Sequence, residues 1–351
     1  MSRTISSMMT VLVGSLLFSA VPLSAQLMDQ VYLYETPTRP TRGVIDEVTA
    51  TVIKIRVNSV SRDIEVNDIS RIAFADDPNE LQQARAMVRR KQYEAAKAEL
   101  DKLNLSEQGN PWVRQDIQFF NALLVSRLSI TGQADKQEAG RLLAAFVADQ
   151  KSSFHYYEAV ELFGDLAASV GGFDKAAESY REVGNAPWPE YKNRAAVLEA
   201  GALVGSGDHA GALAKYEMVA ALQPSNEQMR TLIAQALAGK ARCLGATGQA
   251  DQGLKLAEKI IKDNDPKTQQ KVMAQAYNAQ GVCFLASDRP QDALIAYLHT
   301  SELFYQDPDT HAEALYQLSK LWDVVKKAGE ANRARGLLRE RYGDSVWAKK
   351  Q

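Results

Sequence analysis

Apolar and polar residues alternate over residues 26–77 of the chain and then change period. Val31 and Leu33 alternate with polar neighbours, Val44 and Ile45 follow Gly43, and Val52, Ile53, Ile55 and Val57 form a β-branched run with Lys54 and Arg56 on its other face. Ile64 and Val66 alternate, and Ile69, Ile72 and Phe74 do so more loosely. Short runs of this kind, separated by Thr-Pro, Arg-Asp and Asn-Asp turns, predict about five antiparallel strands over residues 26–77. A segment of that length is enough for a small closed, barrel-like sheet or a strongly bent one, and closure would also remove free strand edges. Asp77-Pro78 marks the change: from 78 to 351 the spacing of Ala and Leu is helical, with stops at Gly109-Asn110-Pro111, Pro187, Pro224, Asp265-Pro266 and Asp307-Pro308. About seven helix pairs are expected, their second helices beginning near Tyr93, Glu138, Asp174, Ala210, Asp251, Gln291 and Ala331.

The helical part repeats. Gly171 is followed five residues later by Ala176, Gly207 by Ala212, Gly248 by Gly253, Asp288 by Ala293 and Gly329 by Ala334, with steps of 36, 41, 40 and 41 residues. A period of this size marks an array of helix pairs rather than one globular core. Small residues allow two helices to cross closely, and large ones such as Tyr180, Tyr216 and Tyr297 fill the gaps beside them. The pattern resembles the tetratricopeptide repeat, clearest from Tyr157 to Trp188 with Gly164, Gly171-Gly172-Phe173, Ala176 and Tyr180. The resemblance implies a mainly α fold, a tetratricopeptide-like solenoid behind a small antiparallel β-domain. Asp29-Gln30-Val31-Tyr32-Leu33, Gly43-Val44-Ile45 and Ile69-Ser70-Arg71-Ile72-Ala73-Phe74, together with the array, also resemble exported planctomycete-type repeat proteins.

The start of the chain changes the picture of where it works. Arg3 precedes an apolar run from Met8 to Leu23, and Leu23-Ser24-Ala25 offers a small-residue exit before Gln26. This describes a signal peptide over residues 1–25 and an exported protein of the periplasm or another envelope or extracellular compartment, with no membrane span after cleavage. The formal net charge of −2 gives no global field for nucleic acid. Between Asp29 and Asp77 there are six basic and nine acidic residues, which argues against phosphate-backbone binding by the β-domain. Cys243 and Cys283 stand one repeat apart, 40 residues. Equivalent points on packed helices are about 8–10 Å apart, beyond the reach of a disulfide, so two free, buried thiols are expected.

Candidate chemistry is sparse. His155, His209, His299 and His311 do not fall at metal-ligand spacing on one helix face, and no phosphate loop or nucleophile elbow is present. No cofactor or metal is expected. In tetratricopeptide arrays the first helix of each pair lines a concave groove. Carried onto this chain, that face holds Glu158, Glu161 and Asp165, then Arg194, then Gln235 and Arg242, then Gln275 and Asn278. Chaperone-type members of the family clamp a C-terminal carboxylate with a Lys/Asn/Arg set, and no such set falls in register here. The expectation is a non-catalytic scaffold that binds a protein or peptide through this groove. A structural subunit of an envelope assembly is the alternative reading. A third is an enzyme at the β-domain/helix junction around Arg71, Asp76, Asp77 and Arg85.

Overall fold

The structure is a computed structural model that describes residues 28–130 and 132–351. The expected signal segment lies outside the described residues. Strands β1 (Asp29–Leu33), β2 (Thr41–Val48), β3 (Val52–Val57), β4 (Val60–Glu65) and β5 (Ile69–Ala73) form one sheet in the order β4-β3-β2-β1-β5. Every neighbouring pair is antiparallel. The β3–β4 hairpin turns through Asn58 and Ser59, both at positive φ (48° and 67°), as a two-residue loop that follows strand twist requires. The Asp29 carboxylate on β1 accepts from the backbone N–H of Ile45 on β2 (2.7 Å) and of Ala75, just past β5 (2.8 Å).

Of the two alternatives for the β-domain, the closed barrel does not occur. β4 and β5 are the two edges of an open sheet and do not pair. The reason is that helices cover its apolar face, so the sheet need not cover itself. Val31, Ile53, Ile55 and Ile72 lie in one core with Leu81, Leu124 and Leu143 from the helical region. The exposed β4 edge carries Arg62 and Asp63, charges that discourage a further strand.

Among the described residues fourteen α-helices follow, in seven antiparallel pairs. They are α1 (Asn79–Arg89) with α2 (Tyr93–Leu100), α3 (Pro111–Ile130) with α4 (Lys136–Asp149), α5 (Tyr156–Ser169) with α6 (Phe173–Val183), and α7 (Pro189–Ser206) with α8 (His209–Ala220). Then come α9 (Glu227–Ala246) with α10 (Ala250–Asp263), α11 (Gln270–Ala286) with α12 (Pro290–Leu303), and α13 (Pro308–Val324) with α14 (Ala328–Tyr342). Each second helix starts within three residues of its expected position.

One residue at positive φ stands in the turn of every pair: Lys91, Gly132, Gly171, Gly207, Gly248, Asp288 and Lys326. The left-handed conformation reverses the chain in one step and is costly for a residue with a Cβ, so glycine fills four of the seven places. In the last pair the turn is Lys326, and Gly329 lies inside α14. The expected turn at Gly329 is therefore displaced by three residues. The small crossing residues Ala96, Ala176, Ala212 and Ala293 are fully buried. Gly253 shows why: a Cβ there would stand 2.5 Å from Cys283 Sγ and 2.7 Å from the Ala241 carbonyl oxygen.

A buried chain of charges joins the sheet to the array. Arg85 on α1 pairs with Asp77 and with Asp116 on α3, and His155 Nε2 lies 3.0 Å from Asp116 Oδ1. The His155 ring stacks on Phe119 at 3.8 Å between centroids. Of the four residues of the enzyme reading, Asp77 and Arg85 pair with each other, Arg71 lies over the Tyr32 ring at 3.6 Å, and Asp76 accepts from Asn110 Nδ2 at 2.9 Å.

Candidate partner-binding face

The first helices of successive pairs pack on one another, α7 on α9, α9 on α11 and α11 on α13, as well as on their own second helices. They make the inner wall of a superhelix. Residues at i, i+4 and i+7 share a helix face, so Lys271, Gln275 and Asn278 form one line along α11, while Asp309 and Glu313 are neighbours on α13.

The structure brings many of the expected groove residues together, in pairs within the chain. Arg194 on α7 donates to Glu161 on α5 at 2.5 Å. Burial, with Asp165 and Glu158 nearby, pushes the Glu161 carboxyl up to about 7 against the pull of Arg194. Asp165 accepts from the Tyr180 hydroxyl at 2.9 Å. Glu158 is exposed beside His155 Nδ1 at 3.3 Å. Gln235 is half-buried on α9.

Arg242 and Asn278 meet at Glu313. Arg242 Nη1 donates to Glu313 Oε1 at 2.5 Å, across 71 residues and from α9 to α13. Burial opposes the Arg242 charge, but Glu313 outweighs it and raises its pKa. Asn278, 1% exposed, donates through Nδ2 to the Thr310 carbonyl (3.0 Å) and to Glu313 Oε2 (3.1 Å). Two acceptors on the same nitrogen fix the amide orientation, which leaves Asn278 Oδ1 without a protein partner. Gln275 Oε1 and Arg242 Nε are also unpaired.

Sequence reasoning missed Glu313, Lys271, Asp307 and Asp309. Lys271 Nζ pairs with Asp307 Oδ1 at 3.1 Å. Asp307 above all, with Asp165 and Asp309, holds the lysine in its charged form. Asp309 also accepts from Trp347 Nε1 at 3.3 Å. Glu313 lies on α13, the first helix of the last pair. Its arginine lies two repeats back, and no local spacing reports that.

Both thiols are free and buried, and burial pushes each up to about 11. Among the described residues no group of three or more His, Cys, Asp or Glu side chains is placed to hold a metal, and no helix is long and apolar enough to cross a membrane.

No protein-family model matches the sequence, and no curated protein does. Solved structures match in fold. A tetratricopeptide repeat protein from Parabacteroides merdae ATCC 43184 superposes with a TM-score of 0.52 at 12% identity, over 75% of this chain and 91% of that one. The apo form of the quorum sensor NprR from B. thuringiensis reaches 0.45 at 13% identity, over 74% of this chain and 85% of that one. A Rap protein complexed with competence and sporulation factor reaches 0.48 at 13% identity, over 77% of each chain. Seven antiparallel helix pairs, small residues at the crossings and the likeness to the Parabacteroides protein agree: the helical array of this chain has the tetratricopeptide-repeat fold.

Proposed function

We propose that this chain is a non-catalytic interaction protein that holds a protein or peptide partner along the inner face of its superhelix. The observation that carries the reading is the packing of the first helices on one another, α7 on α9, α9 on α11 and α11 on α13, which sets the half-buried polar side chains of Gln235, Arg242 and Gln275 along one wall. Export to the periplasm or another envelope compartment is part of the proposal, supported by the basic, apolar and small-residue order of Arg3, Met8–Leu23 and Ala25.

Arg194 and Arg242 are poor test positions, because their loss would unpair Glu161 and Glu313 within the chain. Gln235 and Gln275 are better. The double variant Gln235→Arg/Gln275→Arg is compared with the outer substitution Met218→Arg in capture from native envelopes, read by mass spectrometry. The inner variant should lose the partners that both the wild type and the outer variant retain. An unchanged partner set in the inner variant would refute the reading.

A further inference from the structure

The tail of the chain, residues 343–351, lies between the third helix pair and the seventh, and the two sides hold it unequally. On the seventh side the hold is firm. The tail turns back through the Ser345 N–H, which donates to the Tyr342 carbonyl (2.8 Å), and the Ala348 N–H, which donates to Ser345 Oγ (3.1 Å). Trp347 packs against Tyr316 and donates to Asp309 at the start of α13, and Lys350 covers its ring. Gln351 accepts from Arg339 Nε on α14 at 3.1 Å. On the third side, among the described residues, the hold is one backbone hydrogen bond, from the Val346 N–H to the carbonyl of Ser169 at 3.2 Å. Beside it Val346 Cγ2 stands 3.5 Å from where a Cβ on Gly171 would be. Charge adds little: burial lowers the pKa of Lys136 at the start of α4, while Asp344 raises it and Lys349 lowers it, so the tail brings both signs to that lysine. The inner wall lies behind this joint. Lys271 on α11 is held charged by Asp307 and also by Asp165 on α5. Tyr180 on α6 is kept protonated by burial and also by Asp165 and by Asp309 on α13. Exposed charges a Debye length apart are screened, so groups that act on one another from the third pair to the sixth and seventh stand close, and the interior of the ring is narrow.

On the inner-face reading above, on which this rests, we propose that residues 343–351 are an autoinhibitory latch. Bound at Ser169 and Gly171, they close the side of the superhelix, and a partner chain reaches the inner wall once they let go of α5. The latch stays with α13 and α14, where its contacts are many, and opens at α5, where they are few. One neutral hydrogen bond and one methyl contact favour the closed form by a factor on the order of ten, which a partner chain can overcome.

The test keeps the full chain and uses a chemical probe in place of the partner. Gln235→Cys sets a thiol on the inner wall, and the two native thiols are buried. Its labelling rate is measured with N-ethylmaleimide, a small reagent, and with a maleimide carried on a polyethylene glycol chain. Val346→Pro removes the N–H that Ser169 accepts and should raise the polymer rate about tenfold, the weight of one hydrogen bond, with the small-reagent rate unchanged. Val346→Ala keeps the N–H, loses only the contact at Gly171, and should give a smaller rise of the same kind. Equal polymer rates in the wild type and both variants overturn the latch and leave the inner-face reading standing. A parallel rise with both reagents would mean general loosening and overturns it too. Capture from native envelopes by the Val346→Ala chain, without the added cysteine, should increase. An unchanged or smaller yield would remove the autoinhibitory role, whereas the inner-face reading stands or falls on the Gln235→Arg/Gln275→Arg variant alone.

Discussion

The backbone N–H of Val346 donates to the carbonyl oxygen of Ser169 at 3.2 Å, so the last residues of the chain are bonded to the end of α5. Repeats in a solenoid touch only their neighbours. A bond between the third helix pair and the segment after the seventh means that the superhelix has come round on itself. Trp347 fastens the same segment to α13, its ring 5.6 Å from that of Tyr316 and its Nε1 donating to Asp309. Removal of residues 344–351 should therefore raise the radius of gyration in small-angle scattering and speed hydrogen exchange at the C-terminal end of α5. Trp347→Ala should cost about 1–2 kcal/mol in urea unfolding, the scale of a half-buried aromatic contact. Unchanged scattering from the shortened chain would show that the ring is held elsewhere.

The charge chain at the sheet junction predicts a pH dependence. Burial disfavours charge on His155, but Asp116 and then Glu158 overcome it and raise its pKa above the usual 6.5. A raised folded-state value contributes stability that is fully present below pH 6.5 and is lost as pH rises through the folded value. The urea midpoint of the wild type should fall across that window, and the His155→Gln variant should lack this component. Burial likewise opposes charge on Asp116, yet Arg85 and His155 lower its pKa. Its contribution is present above the ordinary carboxyl range and fades as pH falls through the lowered value. Asp116→Asn should remove that acid component of the pH–stability curve.

Gly253 is a helix crossing where a side chain would meet backbone. The Ala241 carbonyl oxygen, 2.7 Å from where a Cβ would stand, is backbone and cannot rotate away. Gly253→Ala should destabilise by about 1–3 kcal/mol through overpacking, despite the better helix propensity of alanine. Circular dichroism melts of the pair decide this, and a stabilised variant would show that α9 and α10 separate at little cost.

The turn residues predict gains. Asp288 sits at φ 54° and Lys326 at 59°, where an L-residue pays roughly 1–2 kcal/mol. Glycine at either place relieves that strain and returns part of it as unfolded-state entropy, so Asp288→Gly should stabilise by up to about 1 kcal/mol in the same melts. A lower midpoint would mean that the aspartate side chain compensates for its backbone.

These positions also mark what could be read from the chain alone. Gly171, Gly207 and Gly248, each five residues before a small crossing residue, disclosed the array because glycine and the left-handed turn go together. Lys91 and Lys326 make the same turn with nothing in their chemistry to announce it, and so Gly329 stood in for a turn three residues away. Open or closed could not be told for the sheet: the alternation of Ile53, Ile55 and Ile72 reveals an apolar face, and whether strands or helices cover it is decided by Leu81, Leu124 and Leu143, far along the chain. The inner wall was legible as a set of helix faces. Its pairings, Arg242 with Glu313 and Lys271 with Asp307, depend on the curvature of the superhelix, which no local spacing encodes.

The inner wall as the binding surface is tested most directly by hydrogen–deuterium exchange of the full chain with and without its captured partner. Protection should concentrate on α9, α11 and α13, around Gln235, Gln275 and Glu313, while α8, α10 and α12 exchange as before. Protection confined to those second helices or to the open face of the sheet, with the inner helices unchanged, would contradict the account.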